Sequence, residues 1–318
     1  MAVHRSVLEL IGNTPLVDVS QLSPKPGVGI LAKLEGQNPG GSVKDRIALA
    51  MVEAAEADGA LRPGQPGQPG QTILEPSSGN TGIGLAMVCL VKGYGLRVVM
   101  PENVSVERRQ LLGIFGAEVI TSPGHEGSNG AVRMAERLAK EMPDVVMLYQ
   151  YGNPANVGAH YRGTGPEIWR DCPEVTHLVA GLGTSGTLMG VGRYLKEQNP
   201  AVKVWAVEPP AGELVDGLRS LEDGFVPPIF DPDVLDRKVI VRPRESIEWT
   251  RRLTSEAAVF SGISGGAAMA GAARVARDVD QGAIVVVLAD GGWKYLSTGA
   301  WTDDIETVVD RAQRIIYF

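Results

Sequence analysis

Lys44 is a residue whose surroundings could support covalent chemistry. It lies in residues 38–46, Asn-Pro-Gly-Gly-Ser-Val-Lys-Asp-Arg, where glycines and Ser42 lead into an apolar helical pattern. Ser42, followed three residues later by Asp45, predicts a helix N-cap, so Lys44 falls in the first helical turn. The positive end of the helix dipole lowers the pKa of a lysine amine there. A neutral amine can form a Schiff base with an aldehyde, whereas the ordinary alternative is a solvated lysine.

A second segment suited to chemistry is residues 75–82, Glu-Pro-Ser-Ser-Gly-Asn-Thr-Gly, between a strand pattern and a helical pattern. Its small polar side chains would meet free backbone N–H groups at a helix N-terminus, a setting that favours a small anion such as a carboxylate. These side chains are Ser77, Ser78, Asn80 and Thr81. Simple N-capping also favours serine and asparagine, but a cap needs only one such residue.

Residues 181–187, Gly-Leu-Gly-Thr-Ser-Gly-Thr, form a glycine-rich turn between a strand pattern and a helical pattern. The spacing is that of a dinucleotide-binding fingerprint, and Glu208 lies roughly 20 residues on, where such sites carry an acidic residue. A nicotinamide or flavin oxidoreductase therefore stays open. The hydroxyls of the turn favour a phosphate monoester instead, because such a dianion accepts hydrogen bonds from N–H and O–H donors together.

A further turn, residues 260–267, reads Phe-Ser-Gly-Ile-Ser-Gly-Gly-Ala and leads into a helical pattern of small residues. Ser264 could donate to a ring nitrogen there, although the close packing of a capped helix explains the same residues. The four histidines have no metal-ligand spacing, so we predict no metal site. Arg108 and Arg109 are predicted on the solvated face of a helix.

Short apolar strand patterns alternate with helical patterns, which predicts an α/β protein with parallel sheets. Strands are expected at 30–34, 72–74, 96–100, 118–121, 145–148, 177–180, 202–207 and 284–289. Helices are expected at 43–57, 81–92, 106–115, 129–140, 186–196, 246–256 and 266–277. The strands are too many for one small sheet, and 318 residues suffice for two domains. We therefore predict two doubly wound parallel-sheet domains.

Composition narrows the functional classes. Lys and Arg number 30 against 37 Asp and Glu, a net charge of −7, and this acidic excess disfavours a nucleic-acid-binding protein. Two cysteines disfavour a disulfide framework and fit a reducing cytoplasm. The chain starts without the apolar run of a signal peptide, and no stretch approaches the ~20 apolar residues of a membrane span. We expect a cytoplasmic protein that acts on small molecules and has no nucleic-acid or membrane partner.

Taken together and in order, the motifs are far more specific than any one alone. Gly12-Asn-Thr-Pro-Leu16 precedes the lysine segment, and the other three segments follow it. The set resembles the cysteine synthase family, pyridoxal-phosphate enzymes of fold type II, and most closely its B-type branch with the O-phosphoserine sulfhydrylases. The resemblance implies a tryptophan synthase β-like fold, with the cofactor in the cleft between two domains. These would be a smaller N-terminal domain, 35–148, and a larger one, 1–34 plus 149–318.

The resemblance also implies a role for each site residue. Lys44 would be the catalytic lysine, joined to pyridoxal 5′-phosphate as a Schiff base. Asn80 would face the 3′-oxygen of the cofactor, and Ser264 would bond its ring nitrogen. The cofactor phosphate would be held by Gly183, Thr184, Ser185, Gly186 and Thr187. The substrate carboxylate would be bound by Ser77, Ser78, Thr81 and Gln150.

The implied reaction is a β-replacement of O-acetylserine or O-phosphoserine by a sulfur nucleophile, through an aminoacrylate, to give L-cysteine. Arg219 falls where phosphoserine-using relatives place an arginine near the leaving phosphate, and a guanidinium fork suits phosphate. The resemblance also leaves open that this arginine serves thiosulfate, because other B-type enzymes carry an arginine at this position. The donor stays open, as does the acceptor among sulfide, thiosulfate and a protein thiocarboxylate. A cystathionine β-synthase or a serine/threonine dehydratase on the same scaffold also stays open. A homodimer is implied, and a sulfur-carrier protein is a candidate partner.

Several segments depart from the family pattern. Ser77 stands where threonine is commoner, and residues 63–71 repeat Pro-Gly-Gln. The sequence Asp-Gly-Gly-Trp at 290–293 also differs from relatives and could alter the choice of acceptor. The apolar C-terminal end, 314–318, would either dock on the body of the protein or cover the site.

Overall fold

The computed structural model describes residues 3–64 and 70–314. Residues 65–69 of the Pro-Gly-Gln repeat and residues 315–318 of the apolar C-terminal end lie outside the described part. Our expectations for these two segments therefore have no structural outcome. Among the described residues, no helix combines the length and the apolar character that crossing a membrane requires.

Strands and helices alternate along most of the described chain. The strands are β1 Leu16–Asp18, β2 Val28–Leu34, β3 Thr72–Pro76, β4 Gly95–Pro101, β5 Glu118–Ser122, β6 Val145–Met147, β7 Val175–Gly181, β8 Lys203–Glu208, β9 Arg237–Ile240 and β10 Gly282–Leu288. The α-helices are α1 Lys44–Ala57, α2 Asn80–Lys92, α3 Val106–Ile114, α4 Gly127–Glu141, α5 Pro154–Ala159, α6 Gly165–Asp171, α7 Gly186–Gln198, α8 Pro243–Ala257, α9 Ile263–Asp278 and α10 Ile305–Arg314. A π-helical turn, His160–Thr164, joins α5 to α6.

These strands form two sheets. One sheet has the order β1-β2-β10-β7-β8-β9 and the other has the order β5-β4-β3-β6. Among the described strands, β1 pairs with β2 in the antiparallel direction and the other pairings are parallel. The prediction of an α/β protein with parallel sheets is confirmed, with one antiparallel edge strand added.

Helices cover both faces of each sheet. Along β10, Val286 packs in the core that contains α8 and α9, whereas Val287 packs in the core that contains α7. In the smaller sheet, Ile73 packs with α1 and α2, whereas Leu74 packs with α4. Consecutive strand residues point to opposite faces, so a strand buried on both faces must be apolar throughout. This double covering confirms the doubly wound architecture.

Each sheet draws its strands from its own part of the chain. The smaller sheet uses strands between residues 72 and 147, and the larger sheet uses strands on either side of that stretch. The division into a domain 35–148 and a domain 1–34 plus 149–318 stays a prediction.

The sequence analysis missed five short or peripheral elements: β1, β9, α5, α6 and α10. β1 and β9 are the two edges of the larger sheet and have three and four residues. β9 contains the exposed charged residues Arg237 and Lys238, so it does not appear as an apolar run in the sequence. Charged residues on an edge strand discourage pairing with other chains. α5 and α6 have six and seven residues and carry proline in their first turn. Such helices are too short to show a clear period.

Candidate active site

A cavity of about 490 Å³ is lined by residues from segments next to both sheets. Its wall includes residues that follow β3 and β4 in one sheet and β7 and β10 in the other. The carboxyl ends of parallel strands are the usual place for a ligand in open α/β sheets. A recess of about 30 Å³, lined by residues of the 183–187 turn, adjoins the cavity. The predicted site residues all line one of these two spaces, except Gly186.

Lys44 is the first residue of α1 and lines both spaces. Its backbone N–H donates to Ser42 Oγ over 3.2 Å, but the N-cap position is Val43, so the predicted N-cap at Ser42 is wrong by one residue. Burial lowers the pKa of the Lys44 amine, and the charges of Asp290 and Glu35 oppose this shift. A lowered pKa favours the neutral amine, which is the form that reacts with aldehydes.

Asn80, the first residue of α2, is held between two buried charged groups. Its Nδ2 donates to Asp290 Oδ2 over 2.7 Å, and its Oδ1 accepts from Lys294 Nζ over 2.9 Å. Lys294 also donates to the Gly41 carbonyl over 3.0 Å, and Asp290 Oδ2 accepts from the Tyr295 hydroxyl over 2.5 Å. These contacts fix the orientation of the Asn80 carboxamide. The sequence analysis missed Lys294, because a lone lysine carries no local signal of burial.

The predicted carboxylate loop is already hydrogen-bonded within the protein. Ser77 Oγ accepts from two backbone N–H groups of its own loop, over 3.1 and 3.0 Å. Thr81 Oγ1 donates to Gln150 Oε1 over 2.7 Å, and Gln150 Nε2 donates to the Pro76 carbonyl over 2.9 Å. Ser78 is half-buried on the cavity wall. The fold thus brings the four predicted carboxylate ligands together from two separate segments.

The turn between β7 and α7 has the features of an anion site. Ser185 adopts a left-handed backbone with φ 71°, and its buried Oγ has no hydrogen-bond partner among the described residues. The first backbone N–H groups of α7 lack partners within their own helix. Thr184 Oγ1 accepts from Asn156 Nδ2 over 3.0 Å. A Cβ on Gly186 would lie 1.9 Å from Asn156 Oδ1, so glycine is needed there.

The acidic residue of the dinucleotide fingerprint is not available to a ligand. Glu208 is fully buried and lines neither of the two spaces. Its Oε1 accepts from Lys238 Nζ over 2.7 Å, and its Oε2 accepts from the Leu221 backbone N–H over 3.2 Å. A dinucleotide site needs a free carboxylate for the ribose hydroxyl. This geometry therefore disfavours the oxidoreductase interpretation.

Ser264 and Arg219 reach the cavity from the larger sheet's side. Ser264 lies in the first turn of α9 and lines both spaces. Arg219 Nη1 donates to Asn129 Oδ1 over 2.7 Å, and its guanidinium carbon lies 4.4 Å from the Phe225 ring centre and 5.3 Å from that of Tyr151. In the described part of the chain, Arg219 has no carboxylate partner. Its charge is therefore available to an anionic ligand.

Residues 7–291 match the sequence pattern of a known family, which is described as pyridoxal-phosphate dependent enzyme. The chain belongs to this family.

Curated members of the family are similar to the chain over nearly its whole length. Cysteine synthase B of Pseudomonas aeruginosa is 41% identical over 299 residues, which is 94% of this chain and 98% of that protein. Cysteine synthase B of Salmonella typhimurium is 40% identical over 297 residues, 93% of this chain and 96% of that protein.

Solved structures show the same fold. An O-ureido-L-serine synthase superposes with a TM-score of 0.87 at 39% identity, covering 94% of this chain and 96% of that chain. A cysteine synthase from Entamoeba histolytica superposes with a TM-score of 0.87 at 33% identity, covering 98% of this chain and 96% of that chain. These likenesses agree with the fold type II architecture predicted from the motifs.

The residues present fit pyridoxal phosphate, the cofactor of the family. A buried hydroxyl without a partner, Ser185 Oγ, and the N-terminus of α7 would suit its phosphate. Lys44, whose pKa is lowered by burial, lines the same recess and would bind its aldehyde. Ser264 and Asn80 lie on the intervening wall and would face its ring. These roles stay predictions for the individual residues.

Arg108 lies in the cavity wall, so the prediction of a solvated helix face is wrong for this residue. It is 5% exposed, and the neighbouring Arg109 is half-buried. Arg108 Nη1 lies 3.3 Å from both the Ser78 carbonyl oxygen and Asp216 Oδ1, and its guanidinium carbon lies 4.6 Å from the Tyr295 ring centre. Arg108 thus ties the carboxylate loop to the opposite wall. Its burial depends on contacts between distant segments, which no local pattern shows.

Proposed function

We propose that this enzyme is a cysteine synthase, which replaces the β-substituent of an activated serine with sulfur to form L-cysteine. The names of its relatives support this proposal. The observation that carries it is a cavity lined by Lys44 and the 77–81 loop, together with an adjoining recess lined by Lys44 and the 183–187 turn. An amino acid whose carboxylate binds the loop would lie between that loop and the lysine.

The chain's own residues would accept one proton from the substrate and limit how strongly the cofactor ring withdraws electrons. Pyridoxal phosphate, when bound, withdraws electrons from the Cα of an attached amino acid. Lys44 would accept the Cα proton, and the burial that lowers its pKa helps it to be neutral when it does so. Ser264 would donate a hydrogen bond to the ring nitrogen without protonating it. This weaker electron withdrawal favours β-elimination and replacement over transamination.

Binding of the substrate carboxylate would draw on hydroxyls that the structure already holds in place. Ser77 Oγ accepts two backbone hydrogen bonds, so its hydroxyl hydrogen remains free for a carboxylate. Thr81 and Gln150 would exchange their mutual 2.7 Å hydrogen bond for bonds to the substrate. Substrate binding is therefore coupled to a local rearrangement of this pair.

Arg219 favours O-phosphoserine over O-acetylserine as the donor. Its guanidinium lines the cavity without a carboxylate partner among the described residues, and a guanidinium can bind phosphate through two parallel hydrogen bonds. A neutral acetyl group would use neither the charge nor the fork.

The likeness to cysteine synthases also supports a homodimer, and a sulfur-carrier protein as one source of sulfur beside sulfide and thiosulfate. We expect the enzyme in the cytoplasm, because its two cysteines, Cys89 and Cys172, are both free thiols. Sedimentation velocity of the purified enzyme would test the dimer.

The test supplies the holoenzyme with O-phosphoserine or O-acetylserine, each with sulfide, and measures L-cysteine. We expect cysteine from O-phosphoserine, at a rate that depends on sulfide, and none from the Lys44→Ala variant. Pyruvate and ammonia from serine without sulfide would indicate a dehydratase. Cystathionine from serine and homocysteine would indicate a cystathionine β-synthase. Absence of cysteine with both donors would contradict the proposal.

A further inference from the structure

A buried chain of hydrogen bonds runs behind the 183–187 turn. His160 Nδ1 lies 2.9 Å from Thr164 Oγ1, and its Nε2 lies 3.3 Å from Thr187 Oγ1. His160 is 1% exposed and Thr164 is fully buried. Thr187 is half-buried and lines the recess. This series of hydrogen bonds therefore starts in the protein interior, at Thr164, and ends at the Thr187 hydroxyl, which faces the recess.

The backbone segment that holds His160 and Thr164 packs very closely against α7. His160 and Thr164 are the first and last residues of the π-helical turn. A Cβ on Gly190 of α7 would lie 2.4 Å from the Val157 carbonyl oxygen and 2.6 Å from His160 Cβ. Only glycine permits this approach, which brings the imidazole under the first turn of α7. Isolated π-helical turns occur frequently at functional sites.

Burial of the His160 ring favours its neutral form. Burial lowers its pKa well below the usual value, and the charges of Arg46 and Lys44 lower it further, while Glu167 opposes them. A neutral imidazole has one N–H donor and one acceptor nitrogen. One of the two neighbouring hydroxyls must therefore accept a hydrogen bond from the ring, and the other must donate one to it.

Only one tautomer suits an anion at Thr187. With the hydrogen on Nδ1, Nε2 would accept the Thr187 hydroxyl hydrogen, and Thr187 would present only lone pairs to the recess. With the hydrogen on Nε2, the ring donates to Thr187 Oγ1, and the hydroxyl hydrogen of Thr187 is free to point into the recess. In this second arrangement the buried Thr164 hydroxyl also finds an acceptor, Nδ1, for its own hydrogen.

We propose that His160 is a positioning residue that makes Thr187 a hydrogen-bond donor to a phosphate monoester, while Thr164 fixes the required tautomer. This inference rests on the proposed assignment of the 183–187 turn to the cofactor phosphate. His160 touches neither phosphate nor substrate in this scheme and acts through the Thr187 hydroxyl alone.

Nitrogen-15 NMR of histidine-labelled protein reports the tautomer of the His160 ring directly. The measurement does not depend on enzyme activity. The chain has four histidines, and the His160→Gln variant identifies the His160 signals by their loss. We expect the Nε2–H tautomer in the apoenzyme, both alone and with inorganic phosphate. The Nδ1–H tautomer or an imidazolium would overturn the proposal.

A double-mutant cycle separates positioning from a merely structural role, with the dissociation constant of inorganic phosphate from the apoenzyme as the readout. His160→Leu should weaken phosphate binding about tenfold, because a hydrogen bond to a charged group contributes at least that much. His160→Gln, which keeps an N–H near the position of Nε2, should stay within about threefold of the original enzyme.

In the Thr187→Val background, His160→Leu should cause no further loss of phosphate affinity. A further tenfold loss there would show that His160 does not act through Thr187 and would overturn the proposal. Unchanged phosphate binding by Thr187→Val alone would instead contradict the assignment of the turn itself. The two failures are thus distinguishable.

Discussion

Replacing Arg219 with alanine should separate the two candidate donors. The guanidinium is held by Asn129 Oδ1 at 2.7 Å and by the Phe225 ring, whose centre is 4.4 Å away. Nη1 donates to Asn129, and the guanidinium is also hydrogen-bonded to the Tyr151 side chain. The remaining N–H groups of the guanidinium are available to a ligand. The Arg219→Ala change therefore removes a prepositioned cation from the cavity wall.

The expected loss follows from the bonds that a phosphate would make. A hydrogen bond between charged partners contributes about 1.5–3 kcal/mol, and a guanidinium fork can form two. Part of the gain is offset by desolvation, so we expect a loss of roughly 2–4 kcal/mol with O-phosphoserine. At about 1.4 kcal/mol per factor of ten, kcat/KM should fall about 30-fold to 1000-fold. With O-acetylserine the fall in kcat/KM should stay within about threefold, because its neutral acetyl group makes no ionic hydrogen bond with the guanidinium.

The assay measures kcat/KM for cysteine formation with each donor at saturating sulfide. Arg219→Lys should be intermediate, since an ammonium keeps the charge but not the fork. Arg237→Ala is a matched control, because Arg237 also lies over an aromatic ring, 5.4 Å from the centre of Trp205, but lines neither space of the site. Equal losses with both donors would refute the reasoning for Arg219.

Three further predictions follow from contacts in the site. Gly186→Ala would place a Cβ 1.9 Å from Asn156 Oδ1, so the apoenzyme should bind inorganic phosphate at least about tenfold more weakly. Gly113→Ala, which meets nothing within 4 Å, should leave this affinity unchanged, and equal effects would contradict the expectation. Lys294→Met strips the donor from Asn80 Oδ1 and from the Gly41 carbonyl, and should lower the free energy of unfolding in urea by roughly 2–4 kcal/mol. Lys294→Arg should lower the free energy of unfolding by less. A Lys294→Met protein as stable as the original would show that these hydrogen bonds do not contribute to stability. Burial raises the pKa of Glu75 from 4.5 to about 7, so the stability that its protonation contributes is present below pH 4.5 and is lost as the pH rises through 7. The shift corresponds to roughly 3 kcal/mol, and a Glu75→Gln variant with the same pH dependence of unfolding would contradict this origin.

The loops of the site could be predicted from the sequence because their signals are local. Residues 181–187 show glycines and hydroxyls at the exact junction between a strand pattern and a helical pattern, and the structure places β7 and α7 on either side. Lys44 was predictable for the same reason, since its helix begins where the apolar period begins. Even the error at its N-cap, Val43 instead of Ser42, amounts to one residue.

The buried charges could not be predicted, because their burial is decided by distant segments. Arg108 meets Asp216 across 108 residues of sequence, and Lys294 meets Asn80 across 214. A pattern search within one helix assigns such residues to solvent, as it did for Arg108. His160 was likewise visible only as one of four histidines without metal spacing, and its role depends on the π-helical turn that packs it against α7.

The most direct test of the central claim is to reduce the holoenzyme with borohydride and map the modified lysine by peptide mass spectrometry. We predict that the reduced cofactor is attached to Lys44, and that the Lys44→Ala variant lacks the visible absorbance band of the Schiff base. Attachment at the neighbouring buried Lys294, or a Lys44→Ala protein that keeps the band, would contradict the assignment.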